Sequence, residues 1–270
     1  MKYKNIVLLS DLDGTLLQDD KRLSQENIDA INYFISQGGK FGVATGRNHH
    51  NALEFIQEVS TNIPSIFCNG GVVYDINSEN LIKYNTIEPK SIVGFLKHII
   101  KELPYIMIMV YTADYAYTVS NKKNVNQLIL DQHEPYEFKP VEDILEKAWI
   151  KILFCGREDE LKTIETEAKK FDLSKHVAFV NSGDIYFEFV PNNISKGTML
   201  NELREMIGKD HKYYAVGDYY NDLEMIEQAD TGIAVDNAVD DVKEASDYIS
   251  TNNNDSAIAD VIYNIINKTL

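Results

Sequence analysis

The stretch "IVLLSDLDGTLL", residues 6–17, ends an apolar run with two aspartates, Asp11 and Asp13, followed by Gly14 and Thr15. Two positions apart in an extended chain, both carboxylates leave the same face. Like charges so placed repel each other unless a cation sits between them or one of the pair holds a proton. Either resolution is chemistry, a divalent-metal site or a proton-transfer group. A solvated Asp-Gly turn after a strand would use the same residues, so the stretch gains its meaning from its companions. "VATGR" at 43–47 offers Thr45, Gly46 and Arg47; "NISKG" at 193–197 offers Lys196; "VGDYYNDLEM" at 216–225 offers Asp218, Asn221 and Asp222. In the last of these Asp218 follows a predicted strand, while Asn221 and Asp222 open a helix whose positive N-terminal end can face the same crevice. The combined set is four carboxylates, one hydroxyl and one lysine at the ends of separate strands and loops, far more specific than any one piece.

Those ends belong to recognisable elements. Residues 5–10 read as a buried parallel strand, and "SQENIDAINYFISQ" (24–37) carries Ile28, Ile31, Phe34 and Ile35 at helical spacing behind a Ser cap. "GGKFGVATGR" then gives a stop, a second strand ending near Thr45 and a loop, completing a βαβ unit of a parallel sheet. Ligands in open parallel sheets bind at the carboxyl ends of the strands, where Asp11, Asp13 and Thr45 fall. "HNALEFIQEV" continues as helix, and "SIFCNGGVVYD" reads as a third strand followed by a turn. From residue 84 the texture changes to a helix-strand-strand pattern used twice, the signature of an antiparallel sheet with helices on one face. After "PNNISKG" the parallel texture returns. The expected fold is therefore α/β: a Rossmann-like parallel-sheet core with helices on both faces, made from residues 1–83 and 190–270, interrupted by an inserted α+β domain at 84–189.

Composition narrows the partners. The 270 residues carry 26 Lys plus Arg against 42 Asp plus Glu, a net charge of −16 that repels phosphate backbones and anionic lipid, so nucleic acid and membrane surfaces are not expected partners. An acidic chain that holds an anionic substrate needs locally placed cations or a metal. Cys68 and Cys155 lack metal-ligand spacing and read as buried thiols. The N-terminal apolar stretch is broken by Ser10 and Asp11, and no run approaches the roughly 20 apolar residues of a membrane span. A cytoplasmic location is the expectation.

On these motifs the chain resembles the haloacid dehalogenase-like hydrolases, and among them the Cof-type phosphatases with an α/β cap inserted after the second motif. "DLDGTLL" matches the first motif, "ATGR" the second, "SKG" the third and "GDYYNDLEM" the fourth. The tail "GIAVDNAVDDVKEASDYISTNNNDSAIADVI" is similar to the Cof-type ending, with Ser256 where that ending usually has glycine. The resemblance implies a Rossmann-like core, Mg²⁺, and hydrolysis of a small phosphorylated metabolite through an aspartyl-phosphate. Under it Asp11 is the nucleophile, and Asp13 is a proton carrier whose carboxyl must hold a proton near neutral pH. Asp218 binds the metal together with Asp11 and the backbone carbonyl of Asp13, and Asp222 either supports that ion from behind or joins as an occasional ligand, or is an acid stabilised by its helix N-terminus. Thr45 and the amide of Gly46 hydrogen-bond the phosphoryl group while Lys196 neutralises it. Arg47 either reaches phosphate or braces its loop, and Asn221 either donates to phosphate or caps its helix. Asn69 and Gly70 in "CNGG" resemble the family's "NGA" turn. The inserted domain is expected to choose the leaving group.

Two other outcomes fit the same residues. A phosphotransferase or phosphomutase would pass the phosphoryl group to a sugar hydroxyl instead of water, and a non-enzymatic phospho-acceptor would hold it without turnover.

Overall fold

In the computed structural model, which describes residues 1–113, 115–120 and 136–269, the chain divides into two compact units: Met1–Lys83 with Ser195–Leu270, and Tyr84–Ile194. The first unit opens with β1 (Ile6–Ser10), buried at every position. Helix α1 (Gln25–Ser36) follows, started by Ser24, whose side chain accepts from the Asn27 N–H. It buries Ile28, Ala30, Ile31 and Phe34, the stripe expected from the spacing, while Ile35 lies at its margin. Then come β2 (Lys40–Val43) and a short α2 (His49–Phe55) capped by Asn48. Helix α2 stops at Phe55, short of the "IQEV" that the sequence pattern included.

The stretch read as one strand and a turn is a reversal between two strands, β3 (Ser65–Phe67) and β4 (Val72–Asp75), antiparallel to each other and joined in sheet order to β5 (Asn80–Tyr84). Cys68, Asn69 and Gly70 all have positive φ, at 52°, 54° and 102°, and turn the chain back on itself. Two of them are not glycine. Left-handed backbone at such residues marks a place where the surroundings hold the chain.

The second unit runs α3 (Pro89–Glu102), β6 (Met107–Thr112), β7 (Ala116–Thr118), β8 (Tyr136–Phe138), β9 (Trp149–Cys155), α4 (Glu158–Lys170), β10 (Val177–Gly183) and β11 (Tyr186–Pro191). Its sheet has the order β10-β11-β9-β6-β7-β8. All pairs are antiparallel except β7 with β8, which is parallel. Phe95 and Ile99 of α3 and Ile164 and Ala168 of α4 share one core with Ile108, Ile152, Phe154 and Phe189 of the sheet. Trp149 lies in that core with its indole N–H donating to the Ile144 carbonyl at 2.8 Å. Strand β11 continues to Pro191, paired with Val177, so this unit extends past residue 189.

The chain then returns to the first unit through α5 (Lys196–Ile207), β12 (Lys212–Gly217), α6 (Leu223–Gln228), β13 (Thr231–Ala234), α7 (Asp240–Ala245) and β14 (Tyr248–Ile249). It closes with α8 (Ala257–Asp260), which runs on through a π-helical stretch, Val261–Ile266. The main sheet is β14-β13-β12-β1-β2, parallel throughout. Strand β1 lies between β12 and β2, and these neighbours hold its end in register: the Asp11 N–H donates to the Val216 carbonyl and the Ala44 N–H to the Ser10 carbonyl, each at 2.9 Å. Asp11, Thr45 and Asp218 therefore come off the same edge of the sheet. Among the described residues no helix is long and apolar enough to cross a membrane.

Candidate active site

Lys196 is the first residue of α5, placed by Ser195, whose hydroxyl accepts the Thr198 N–H at 2.9 Å. Its side chain is 0% exposed, and its Nζ donates to Asp11 Oδ1 at 2.7 Å and to Asp222 Oδ1 at 2.6 Å. The second Asp222 oxygen accepts the backbone N–H groups of Asp218 at 3.1 Å and Tyr219 at 3.2 Å. Asp222 thus fixes both the lysine and the turn that carries Asp218. Asp218 Oδ1 accepts the Thr15 hydroxyl at 3.1 Å. Carboxylate oxygens of Asp11, Asp218 and Asp222 all lie within 4.8 Å of one another.

Two glycines make this crowding possible. Gly14 has φ +74°, and a Cβ there would strike Asp218 Oδ2. At Gly217 a Cβ would come within 2.5 Å of the Asp222 side chain.

Two buried acids and the half-buried Asp218 around one ammonium leave negative charge in excess, and their protonation follows. Burial pushes the Asp11 carboxyl up, against the pull of Lys196 and with the repulsion of Asp222. Burial and then the charges of Asp11 and Asp222 push Asp218 up. Lys196 is held above the ordinary lysine range because the two carboxylates outweigh its burial. A divalent cation would relieve the same excess. The donors are hard oxygens, which suit magnesium, calcium or manganese and not zinc or copper. Asp11 and Asp218 fit as ligands; Asp222 already spends both oxygens on Lys196 and on two backbone amides, which fits a supporting part.

Asp13 stands apart from that cluster and in a different electrostatic setting. Arg47 forks onto it, Nε to Oδ2 at 2.6 Å and Nη2 to Oδ1 at 2.7 Å, and Lys21 Nζ reaches Oδ1 at 2.9 Å. Burial alone would raise the Asp13 carboxyl, but these partners lower it to about 2. The expectation of a carboxyl protonated near neutral pH therefore does not describe this arrangement, because a bidentate guanidinium stabilises the carboxylate form. Of the two parts offered for Arg47, bracing is the one seen: its Nη1 also donates to Asn51 Oδ1 at 2.6 Å, and its guanidinium lies 4.0 Å from the centre of the Phe55 ring.

Thr45 is buried at the end of β2, with its N–H donating to the Ile66 carbonyl at 2.9 Å and its hydroxyl oxygen accepting the Arg47 N–H at 3.1 Å. The following loop leans on the reversal after β3. Asn69 N–H donates to the Thr45 carbonyl at 3.0 Å and Cys68 N–H to the Arg47 carbonyl at 2.9 Å. A Cβ on Gly46 would sit 3.2 Å from the Asn69 amide, so that glycine admits a close neighbour. Asn221 Nδ2 in turn donates to Asn69 Oδ1 at 3.0 Å. Asn69 thereby joins the second and fourth motifs, a part the sequence pattern did not assign; its signals were the resemblance of "CNGG" to the family's turn and an asparagine at a strand end, where left-handed backbone is tolerated.

Two further polar residues, His49 and Glu188, are also engaged by neighbouring side chains. His49 stacks on His50 and Tyr74, and burial holds its imidazole down at about 4. Glu188, in the second unit, pairs with Lys151 at 3.3 Å and accepts the Ser182 hydroxyl at 2.7 Å.

Comparison with known proteins places this geometry. A family model for haloacid dehalogenase-like hydrolases matches residues 8–262. The chain is 27% identical to the 5-amino-6-(5-phospho-D-ribitylamino)uracil phosphatase YwtE of Bacillus subtilis, covering 92% of this chain and 94% of that one. It is 28% identical to the pyridoxal phosphate phosphatase YbhA of Escherichia coli, covering 95% and 97%. A crystal structure of a haloacid dehalogenase-like hydrolase from Bacteroides thetaiotaomicron superposes with a TM-score of 0.83 at 26% identity, over 96% of this chain and 99% of that one.

Proposed function

Since the chain belongs to the haloacid dehalogenase-like hydrolases, we propose that it is a Mg²⁺-dependent phosphatase that cleaves monoesters of small phosphorylated metabolites through a phosphorylated Asp11. The observation that carries this is Lys196 bridging Asp11 and Asp222 beside Asp218. A carboxylate buried against a cation is placed to attack phosphorus, and the same lysine neutralises charge on the group being transferred.

In this proposal an Asp11 oxygen forms a bond to phosphorus as the ester oxygen leaves. That leaving oxygen takes a proton from Asp13. Water then gives a proton back to Asp13 and attacks phosphorus, releasing inorganic phosphate and restoring the Asp11 carboxylate. Asp13 acquires the first proton only by loosening from Arg47, whose fork otherwise keeps it ionised. The Thr45 hydroxyl and the Gly46 amide hold the phosphoryl oxygens. When bound, magnesium held by Asp11 and Asp218 supplies charge stabilisation at the phosphate, and Asp222 orients the turn carrying Asp218. The phosphate esters named for the two curated relatives, a phosphoribitylaminouracil and pyridoxal phosphate, make sugar phosphates and vitamin-type phosphates the first substrates to try.

The test is Asp11→Asn, assayed with a generic aryl phosphate and a panel of phosphorylated metabolites with and without Mg²⁺. Loss of turnover in a protein that still folds, shown by a cooperative unfolding transition, is expected. Turnover at the unsubstituted rate would remove Asp11 from the nucleophile's part.

A further inference from the structure

The turn that carries Asp13 is held from outside by asparagines of the C-terminal part of the chain. Asn237 Nδ2 donates to the Gly14 carbonyl at 2.7 Å, and Asn237 Oδ1 accepts the Asn253 N–H at 2.9 Å. Asn253, 1% exposed, donates its own amide to the Leu17 carbonyl at 3.0 Å and to Asp19 Oδ1 at 3.1 Å. Within the turn the Leu17 N–H reaches back to the Leu12 carbonyl at 2.8 Å. The loop of Asn237 is also tied to the fourth motif, because the Val239 N–H donates to the Asp218 carbonyl at 3.0 Å. One short segment, 237–239, therefore touches the backbone behind both Asp13 and Asp218.

We infer that Asn237 is a positioning residue for the phosphoryl-transfer centre, acting through the Gly14 carbonyl on the Gly14–Thr15 peptide, which follows Asp13 and carries the Thr15 hydroxyl to Asp218, with Asn253 buttressing it. The physical basis is that Gly14, at φ +74°, is free to adopt conformations closed to other residues, so its peptides need an outside restraint. Asn237 supplies that restraint on the far side of Gly14 from Asp13. Fixing the Gly14 carbonyl fixes the plane of the Gly14–Thr15 peptide and leaves only the Gly14 φ and ψ between that plane and Asp13. Because Gly14 also lies against Asp218, a wandering Gly14 would disturb the metal-binding carboxylate as well as the proton carrier. Asn254, by contrast, grips only the far end of the same loop, at Asp19 and Gln18. This rests on the proposed function of Asp11 and Asp13.

The decisive pair of variants is Asn237→Ala and Asn237→Asp, with Asn254→Ala as the control. Asn237→Asp keeps the acceptor for Asn253 and loses the donor to Gly14, so it isolates that contact. The expected result is a fall of about 10–100-fold in kcat with KM for an aryl phosphate changed less than threefold. Weaker binding of Mg²⁺ alone, measured by calorimetry without substrate, is expected beside it, and thermal midpoints should hold because Asn237 is exposed. Asn254→Ala is expected to stay within twofold of the unsubstituted protein. Values of kcat and Mg²⁺ affinity within twofold in both Asn237 variants would overturn the inference, and so would a loss of activity that merely follows the unfolded fraction. If Asp11→Asn keeps its turnover, the proposed function fails instead; if Asp11→Asn is inactive while both Asn237 variants behave normally, only the inference about Asn237 fails.

Discussion

Replacing Lys196 by methionine removes one ammonium and leaves its two partners buried, with Asp218 beside them. At 2.7 and 2.6 Å, each contact is worth about 6 kcal/mol of Coulomb energy at an effective dielectric constant of about 20. Most of that is offset by the cost of dehydrating the lysine itself, so the net loss for breaking a buried pair is about 3–5 kcal/mol. Against a total stability of about 5–15 kcal/mol, this is a large fraction. Urea unfolding of Lys196→Met at pH 7 in chelator should show it directly. Two further measurements separate electrostatics from lost packing. Adding Asp222→Asn to the variant removes one orphaned charge and is expected to restore about 1–3 kcal/mol, whereas on the unsubstituted background the same change destabilises. Mg²⁺ at 100 times its dissociation constant adds about 2.7 kcal/mol to any form that binds it, so the variant should be rescued in proportion to its retained metal affinity. Phosphatase turnover should fall at least about 100-fold, the usual result of deleting a donor that stabilises transition-state charge. A Lys196→Met protein within 1 kcal/mol of the original, or one not recovered by Asp222→Asn, would refute the account of the cluster.

Gly14→Ala is expected to cost about 1–2 kcal/mol for the left-handed backbone alone, and more for the clash with Asp218; calorimetry should find Mg²⁺ binding weakened in the folded fraction. The metal-free protein should lose stability as pH rises above about 4. Asp11 and Asp218 bind protons more tightly folded than unfolded, so ionising them costs the folded state, and Mg²⁺ should flatten the slope. Arg47→Ala should act in the opposite sense. Asp13 is held low, so its contribution is present above pH 4 and disappears as pH falls toward 2. The deficit of the variant, about 1 kcal/mol after allowing for the one-third exposure of Asp13, should shrink over that range in acid unfolding curves. Trp149→Ala should destabilise the inserted unit by about 3–5 kcal/mol, read from denaturant unfolding followed by circular dichroism.

Much of the fold was legible because its signals are local. The Ser24 cap and the apolar spacing of α1 are both in the structure, and the change of texture near residue 84 falls where the second unit begins at Tyr84. Failures came where distant partners decide. Helix α2 ends early at Phe55. The "CNGG" stretch became a reversal because three consecutive positive φ values fold it back onto Thr45 and Arg47. Nothing local marked β7 and β8 as a parallel pair. Ser256, the departure from the usual glycine, sits at φ 59°, the left-handed conformation that explains glycine's preference there, and its hydroxyl bonds to Ser24 Oγ at 2.9 Å.

From its residues alone this chain settled which groups are available: acids at two strand ends, a hydroxyl at a third, and a lysine where the chain returns to the parallel core. Strand ends follow from periodicity and side-chain chemistry follows from residue type, so neither needs a partner to be read. The tertiary structure decided which charge meets which. Lys196 lies 185 positions from Asp11 and Arg47 lies 34 from Asp13, and both pairings exist only once parallel strands bring those ends to one edge. The same closeness ionises Asp13 and raises Asp11, two identical side chains driven apart by their neighbours and their burial.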